Sequence, residues 1–288
     1  MKAILPVLLV SQILALQSFA QTYNSFHDLP EGVQVEVVLD PTYVATDEAP
    51  EQSPSSPPLA TDDPGTPGSH NFEVNLISSC DQISGAKSCE NGLDAAFGIG
   101  EKTQLRISKA LIRDSNSTGP AFSGHGQTDI GVKHRFYDQD GLKLAVYPTF
   151  KLDDASRVTN TDGSLADSEG RSIYLPLIVS KDLGKYTVVT NVGRRLNLDH
   201  TENNSVFTSM AVGRAVGQNM RVMAELASEK TGDNRRTDVR VGFVRIILPD
   251  HSSKYQTSLF GSIGRSIKST DDGQTHTSLL FGLSISKK

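Results

Sequence analysis

Tryptophan is absent from this chain, aromatic residues make up 6% of it, and cysteine occurs twice. Past the first residues no stretch holds about 18 consecutive uncharged apolar residues, so a helical membrane protein is excluded. A barrel is not excluded, because each of its strands gives only a weak signal. The net charge of −5 lacks the basic excess that a nucleic-acid partner demands. No phosphate-binding loop, zinc spacing or calcium loop occurs, so no metal or cofactor is expected. Asp153-Asp154 and Asp271-Asp272 read as solvated turn charges rather than metal ligands. The hydrophobic share of 37% is low for a domain that packs a large core. It suits a barrel with a wet interior, which needs apolar residues on one face only. The scarcity of aromatics runs against a strong aromatic girdle.

Met1 to Ala20 has the composition of a secretory signal. Lys2 supplies the charge, Ile4 to Leu16 the apolar run, and Ser18-Phe19-Ala20 a cleavage site before Gln21. Residues 21–69 read as a periplasmic N-terminal segment. Val33, Val35 and Val37 alternate with polar residues there, which allows a short strand. Residues 46–69 are rich in Pro, Ser, Thr and Asp, with Pro50, Pro54, Pro57, Pro58, Pro64 and Pro67. Such a stretch cannot bury a core and is expected to be a disordered, extended linker. The ordered domain is expected over 70–288.

From His70 onward the chain reads as about twelve strand-length segments, the even count that single-chain barrels show. The gaps between them alternate short and long. Short gaps fall at Gly100-Glu101-Lys102, Asp138-Gln139-Asp140, Asp182-Leu183 and Gly217-Gln218. The long ones cover 79–90, 113–126 and 152–170, with shorter ones at 197–203, 231–234 and 269–272. The segments run to roughly 9–14 residues, against about 5–6 in soluble proteins and 9–11 for a tilted transmembrane strand. The expectation is an all-β, up-and-down antiparallel transmembrane barrel in the outer membrane of a Gram-negative bacterium. Its short turns and both termini would lie in the periplasm. Cys80 and Cys89 share the first long gap, where an exported protein is expected to join them in a disulfide.

Side chains alternate along these segments. Leu105, Ile107 and Leu111 oppose Gln104, Arg106 and Ser108; Ile130 and Val132 oppose Lys133 and Arg135; Leu142, Leu144 and Val146 oppose Lys143 and Ala145. Period-2 alternation puts each set on its own sheet face. The inward set gives seven lumen-lining candidates: Arg106, Lys133, Arg135, Lys143, Arg221, Glu225 and Arg240. They read equally as a mostly cationic path for anionic or polar solutes and as a ladder of ion pairs that fills a narrow lumen. Lys109 and His134 fall in phase with the apolar face and need places near a rim. The apolar set changes phase between Val239-Val241-Phe243 and Val244-Ile246-Leu248, which predicts a bulge near Phe243. Pro148 and Pro176 predict bulges or strand ends.

Three stretches carry a resemblance. They are Phe72-Glu73-Val74-Asn75-Leu76, Gly98-Ile99-Gly100-Glu101-Lys102-Thr103-Gln104-Leu105, and Gly126-Gln127-Thr128-Asp129-Ile130-Gly131-Val132-Lys133-His134-Arg135-Phe136 leading to Asp140-Gly141-Leu142-Lys143-Leu144-Ala145-Val146-Tyr147-Pro148. Over roughly 72–286 the chain resembles the outer-membrane transporter family labelled "MetA-pathway of phenol degradation". The resemblance implies an outer-membrane barrel and the passage of small molecules, aromatic ones among them. It implies no catalytic residues.

An enzyme needs a clustered nucleophile and base, and the histidines are scattered. His125 near Asp129 and His276-Thr277-Ser278 are the only suggestive neighbourhoods, and they support an outer-leaflet barrel hydrolase as an alternative to a passive channel. A secreted β-sandwich is a further alternative. No catalytic residue is assigned. The partners expected of the barrel are outer-membrane lipid, the barrel-assembly machinery, periplasmic chaperones and a small-molecule solute.

Overall fold

The computed structural model describes residues 58–83, 86–116, 121–159, 170–200, 203–248, 254–269 and 275–287. The signal-peptide reading of 1–20 and the possible strand at 33–37 lie outside the described residues. The strand segments are β1 (Phe72–Ile83), β2 (Ala86–Gly100), β3 (Thr103–Asn116), β4 (Phe122–His125), β5 (Asp129–Gln139), β6 (Leu142–Val146), β7 (Thr149–Lys151), β8 (Ser156–Thr159), β9 (Ser172–Leu183), β10 (Tyr186–Asn197), β11 (Ser205–Ala215), β12 (Met220–Thr231), β13 (Asn234–Leu248), β14 (Tyr255–Ser269) and β15 (His276–Lys287). β4 and β5 are consecutive parts of one barrel stave, because both pair with β3. β6, β7 and β8 likewise follow one another along the β4–β5 stave. Fifteen segments therefore make twelve antiparallel staves, and pairing of β1 with β15 closes the ring. Closure removes the sheet edges.

The interruptions have local causes. Pro148 stands between β6 and β7, and Pro176 lies on β9, which pairs with both. Neither proline has an N–H to donate, so the ladder lapses there while the register stays unchanged on either side. A shift of one residue between Arg135 and Tyr137 marks a bulge at Phe136. The bulge expected near Phe243 is not present. β13 pairs with β14 without a slip from Asp238 to Ile246, and the shifts lie at Thr237/Asp238 and Ile246/Leu248. Val239, Val241 and Phe243 face outward, whereas buried Ile246 faces inward with half-buried Val244. The change of apolar phase records a patch of apolar lumen, not a kink.

Four turns on one rim, β2–β3, β5–β6, β9–β10 and β11–β12, are tight among the described residues. Asp140 and Gly141 have φ of 51° and 69°, the paired positive values of a type I′ hairpin turn. Gly184 and Gly217 carry φ of 62° and 70° at the next two turns on that rim. The rim also holds both ends of the barrel, Phe72 and Lys287. The opposite rim carries the longer gaps, with two exceptions. β1 and β2 run on to Ile83 and Ala86, so 79–90 is a hairpin rather than a loop. β12 and β13 meet across Gly232-Asp233. Cys80 and Cys89 face each other on the first of these hairpins and are joined by a disulfide.

Large apolar side chains stand on the outer face all round the ring, among them Leu93, Phe97, Ile107, Leu111, Val192 and Ile263, with exposures of 40–65%. A continuous apolar belt of this kind is costly in water and is the surface a bilayer covers. Lys109, on the outer face, pairs with Asp154 at 2.6 Å. His134 sits at the tight-turn rim, where its Nδ1 is 2.9 Å from Thr103 Oγ1. The inner face is polar: Asn75, Asp94, Gln104, Lys133, Asn191, Ser209 and Glu225 are all buried there.

Candidate functional site

The lumen is not empty of chain. Pro58 through Ser69, expected to fall in a linker, run across it. Thr61 is fully buried, and its amide donates to Glu225 Oε2 at 2.6 Å. Its hydroxyl lies 2.7 Å from the same oxygen and 2.8 Å from Ser209 Oγ. Asp62 Oδ1 lies 3.3 Å from an Arg106 nitrogen and 3.4 Å from Lys133 Nζ. Pro58 O accepts from Ser262 Oγ at 2.8 Å. Leu59 packs with Ala211, Met223 and Val244. Arg106 and Lys133 belong to β3 and β5, whereas Ser209, Glu225 and Ser262 belong to β11, β12 and β14. A short segment touches both sets of a closed ring only from the inside. The ordered part of the chain thus begins by Pro58, not at His70. Polar residues can be buried here because the barrel supplies their partners, which a free linker lacks.

The segment leaves the lumen at the tight-turn rim. The amide of His70 donates to Gly98 O at 3.2 Å, that of Gly98 to Asn71 O at 2.9 Å, and the Thr66 hydroxyl to Glu101 O at 2.9 Å. Gly98 is inward-facing, and a Cβ there would stand 1.7 Å from Gly68 O. Only glycine lets the two backbones come so close.

The sequence candidates fall in two groups. Arg106, Lys133, Glu225 and Arg240 reach the middle of the lumen and are ion-paired. Arg106 Nε donates to Asp94 at 2.7 Å, Lys133 adds Asp63 at 3.7 Å, and Arg240 pairs with Glu225 at 3.2 Å and Asp238 at 3.8 Å. Arg135, Lys143 and Arg221 lie toward the tight-turn rim. Arg135 pairs with Asp138 at 3.2 Å and reaches Glu101 O at 3.4 Å. Lys143 is in register with Asp138 and Ser180. Arg221 shares the parity of inward Met223 and Glu225. Carboxylates that the reading of faces passed over also look inward. Asp94 and Asp238 sit in phase with buried residues and were legible by parity, whereas Asp62 and Asp63 were hidden by composition. Both signs of charge therefore line this lumen.

Over the segment, toward the long-loop side, a cavity of about 240 Å³ is bounded by Ala60, Tyr174, Arg195, Phe207, Glu229 and Asp238 with their neighbours. Tyr174 and Phe207 meet edge to face at 6.1 Å, and the Arg195 guanidinium lies 6.0 Å from the Tyr174 ring centre. The Tyr174 hydroxyl is buried with no hydrogen-bond partner among the described residues. At the long-loop rim Arg171 clasps Asp199 at 2.6 Å, and this bonding lowers the Asp199 carboxyl to about 2. His125 and His276 are not brought together. They sit on staves separated by β1, β2 and β3.

An antiparallel ring of twelve staves, apolar outside and polar within, decides the class. The chain is a barrel of the outer-membrane type. No protein-family model matches it, and no curated protein matches it. Among solved structures it is similar to the COG4313 outer membrane channel from Pseudomonas putida F1, at 12% identity and a TM-score of 0.56, over 76% of this chain and 95% of that one. More distant matches include the KdgM porin, at 8% identity and a TM-score of 0.44 over 73% of this chain and 97% of that one. Another is the translocator domain of the autotransporter NalP from Neisseria meningitidis, at 10% identity and 0.49 over 74% and 87%. At these identities the likeness concerns the fold.

Proposed function

We propose that the protein is a passive outer-membrane channel for small solutes, aromatic or anionic, and that its N-terminal segment narrows the path. The tight-turn rim is the periplasmic one, as in other barrels of this type. The segment 58–70 then enters from the periplasm, and the 240 Å³ cavity opens toward the outside. The observation that carries the reading is the polar lumen with a cavity walled by Tyr174, Phe207 and Arg195. Aromatic faces and a guanidinium suit a small ring or an anion. The motif resemblance to the phenol-degradation transporter family points the same way. Barrel-assembly machinery and periplasmic chaperones are the partners such a chain needs in transit. A second reading, a plugged structural barrel, is favoured by the segment itself, which crosses the lumen with Thr61 fully buried. Purified protein in planar bilayers separates the two. Discrete conductance supports the channel, and silence across voltages and salts supports the plugged barrel.

A further inference from the structure

Arg106 has two carboxylate neighbours of unequal grip. Asp94, fixed on β2, holds both its Nε and a terminal nitrogen, with Nε at 2.7 Å from each carboxylate oxygen. Asp62, on the N-terminal segment, stands at 3.3 Å. Lys133, only 4% exposed, has carboxylate partners on the same segment, Asp62 at 3.4 Å and Asp63 at 3.7 Å. Charge-assisted bonds settle near 2.7–2.9 Å, so the wall partner is tight and the segment's partners are loose. Both cations also approach the Tyr147 ring, Lys133 Nζ at 5.1 Å and Arg106 Cζ at 6.0 Å from its centre. Tyr147 packs in turn with Ala145, Ile178 and Val189, the apolar cluster of this side of the barrel. Glu73 is near but bonds to Asn75 instead.

The charge balance has a consequence. With the segment seated, two cations face Asp94, Asp62 and Asp63. With it withdrawn, Asp94 stays on Arg106 with Glu73 near by, while Lys133 loses both of its carboxylate partners and faces the water that replaces the segment. A solute anion can then take the place of Asp62. The site it finds is a cationic pair beside an aromatic ring and an apolar wall. We propose that Arg106, Lys133 and Tyr147 form a binding site for a small carboxylate with an apolar body, that Asp62 and Asp63 fill it in the resting protein, and that the solute carboxylate releases the segment by competing with them. This rests on the channel reading above and names the solute class for the same lumen.

The test uses sodium benzoate as the carboxylate, with benzyl alcohol and sodium sulfate as controls, at constant ionic strength on the whole chain. Two readouts are taken: bilayer conductance, and cleavage at Asp62–Asp63 by a protease that cuts after carboxylates. Benzoate is expected to raise both, saturably, while benzyl alcohol leaves both unchanged. Lys133→Met is expected to abolish the response. Asp62→Asn/Asp63→Asn is expected to conduct at the benzoate-saturated level without benzoate. Conductance that ignores benzoate in the wild type, with unchanged cleavage, overturns the carboxylate site and leaves the channel standing. An equal response to sulfate overturns the choice of a carboxylate with an apolar body. Benzoate-dependent cleavage with silence in every variant supports the site and refutes the channel. The wild-type titration decides the proposal even if a variant fails to insert.

Discussion

Thr61→Val isolates what holds the segment in the lumen. Valine keeps the shape of threonine and removes one hydroxyl. That hydroxyl has a single proton, so it donates to Glu225 Oε2 at 2.7 Å and accepts from Ser209 at 2.8 Å. The first bond has a charged acceptor and contributes about 1.5–3 kcal/mol; the second is neutral and contributes about 0.5–1.5 kcal/mol. Glu225 keeps the Thr61 amide at 2.6 Å and Arg240 at 3.2 Å, so its charge remains satisfied. Ser209 is left to find another acceptor. The seated state should lose about 2–4 kcal/mol, which multiplies the equilibrium constant for withdrawal by roughly 30 to 1,000. Conductance in planar bilayers and protease cleavage of the segment both report that constant. Each should rise, with the barrel still resisting unfolding on an unheated gel. The reasoning is refuted if the variant inserts normally and both readouts match the wild type, for then the buried hydroxyl does not anchor the segment.

Gly98→Ala should also displace the segment, by a different cause. Its Cβ would meet Gly68 O at 1.7 Å, and backbone cannot yield as a side chain can, so cleavage near 58–69 should increase with no charge altered. Reduction of Cys80–Cys89 should destabilise the barrel by about 2–3 kcal/mol, the value expected for a loop of roughly ten residues, and lower its unfolding midpoint in denaturant without changing conductance. Arg171→Ala should return the Asp199 carboxyl from about 2 toward the ordinary range near 4, read by NMR titration of the side chain. Because the folded value is the lower one, the Arg171–Asp199 clasp is fully formed above about pH 4 and is lost as the pH falls through 2. Loosening of the long-loop rim below pH 4 should therefore be absent in the variant.

Twelve staves were legible because period 2 is imposed by the backbone and a bilayer tolerates few exceptions to it. Leu105, Ile107 and Leu111 had to share a face, and so did Arg106 with the lumen. Turn positions were less legible. The tight turn centres on Asp140-Gly141, at the end of the expected gap Asp138-Gln139-Asp140, because positive φ at two residues, rather than polarity, decides where the chain reverses. The hairpin at Ile83 and Ala86 reads as a loop in sequence because its residues above the apolar belt are polar on both faces. There the alternation that marks a strand disappears although the hydrogen bonds do not.

The segment 58–69 and the phase change at Val244 depart from the sequence expectation for a common reason, and together they explain each other. Composition judges a stretch by what it can bury on its own. Pro58, Thr61, Asp62, Asp63 and Pro64 can bury nothing on their own, yet a finished barrel offers them Glu225, Ser209, Arg106 and Lys133. The converse signal stood on β13. Val244 and Ile246 are apolar at inward positions where a water-filled pore needs none, and Val244 packs against Leu59 with Ala211 and Met223. An apolar patch on the wrong face of a barrel strand therefore marks a place where something apolar is seated inside. In this chain the occupant is its own leucine, thirteen residues before the first strand begins at Phe72. Leu59→Asp should accordingly unseat the segment at this second anchor: the carboxylate would be buried among Ala211, Met223 and Val244. A variant that keeps the segment protected from protease would show that the patch serves the barrel wall and not the segment.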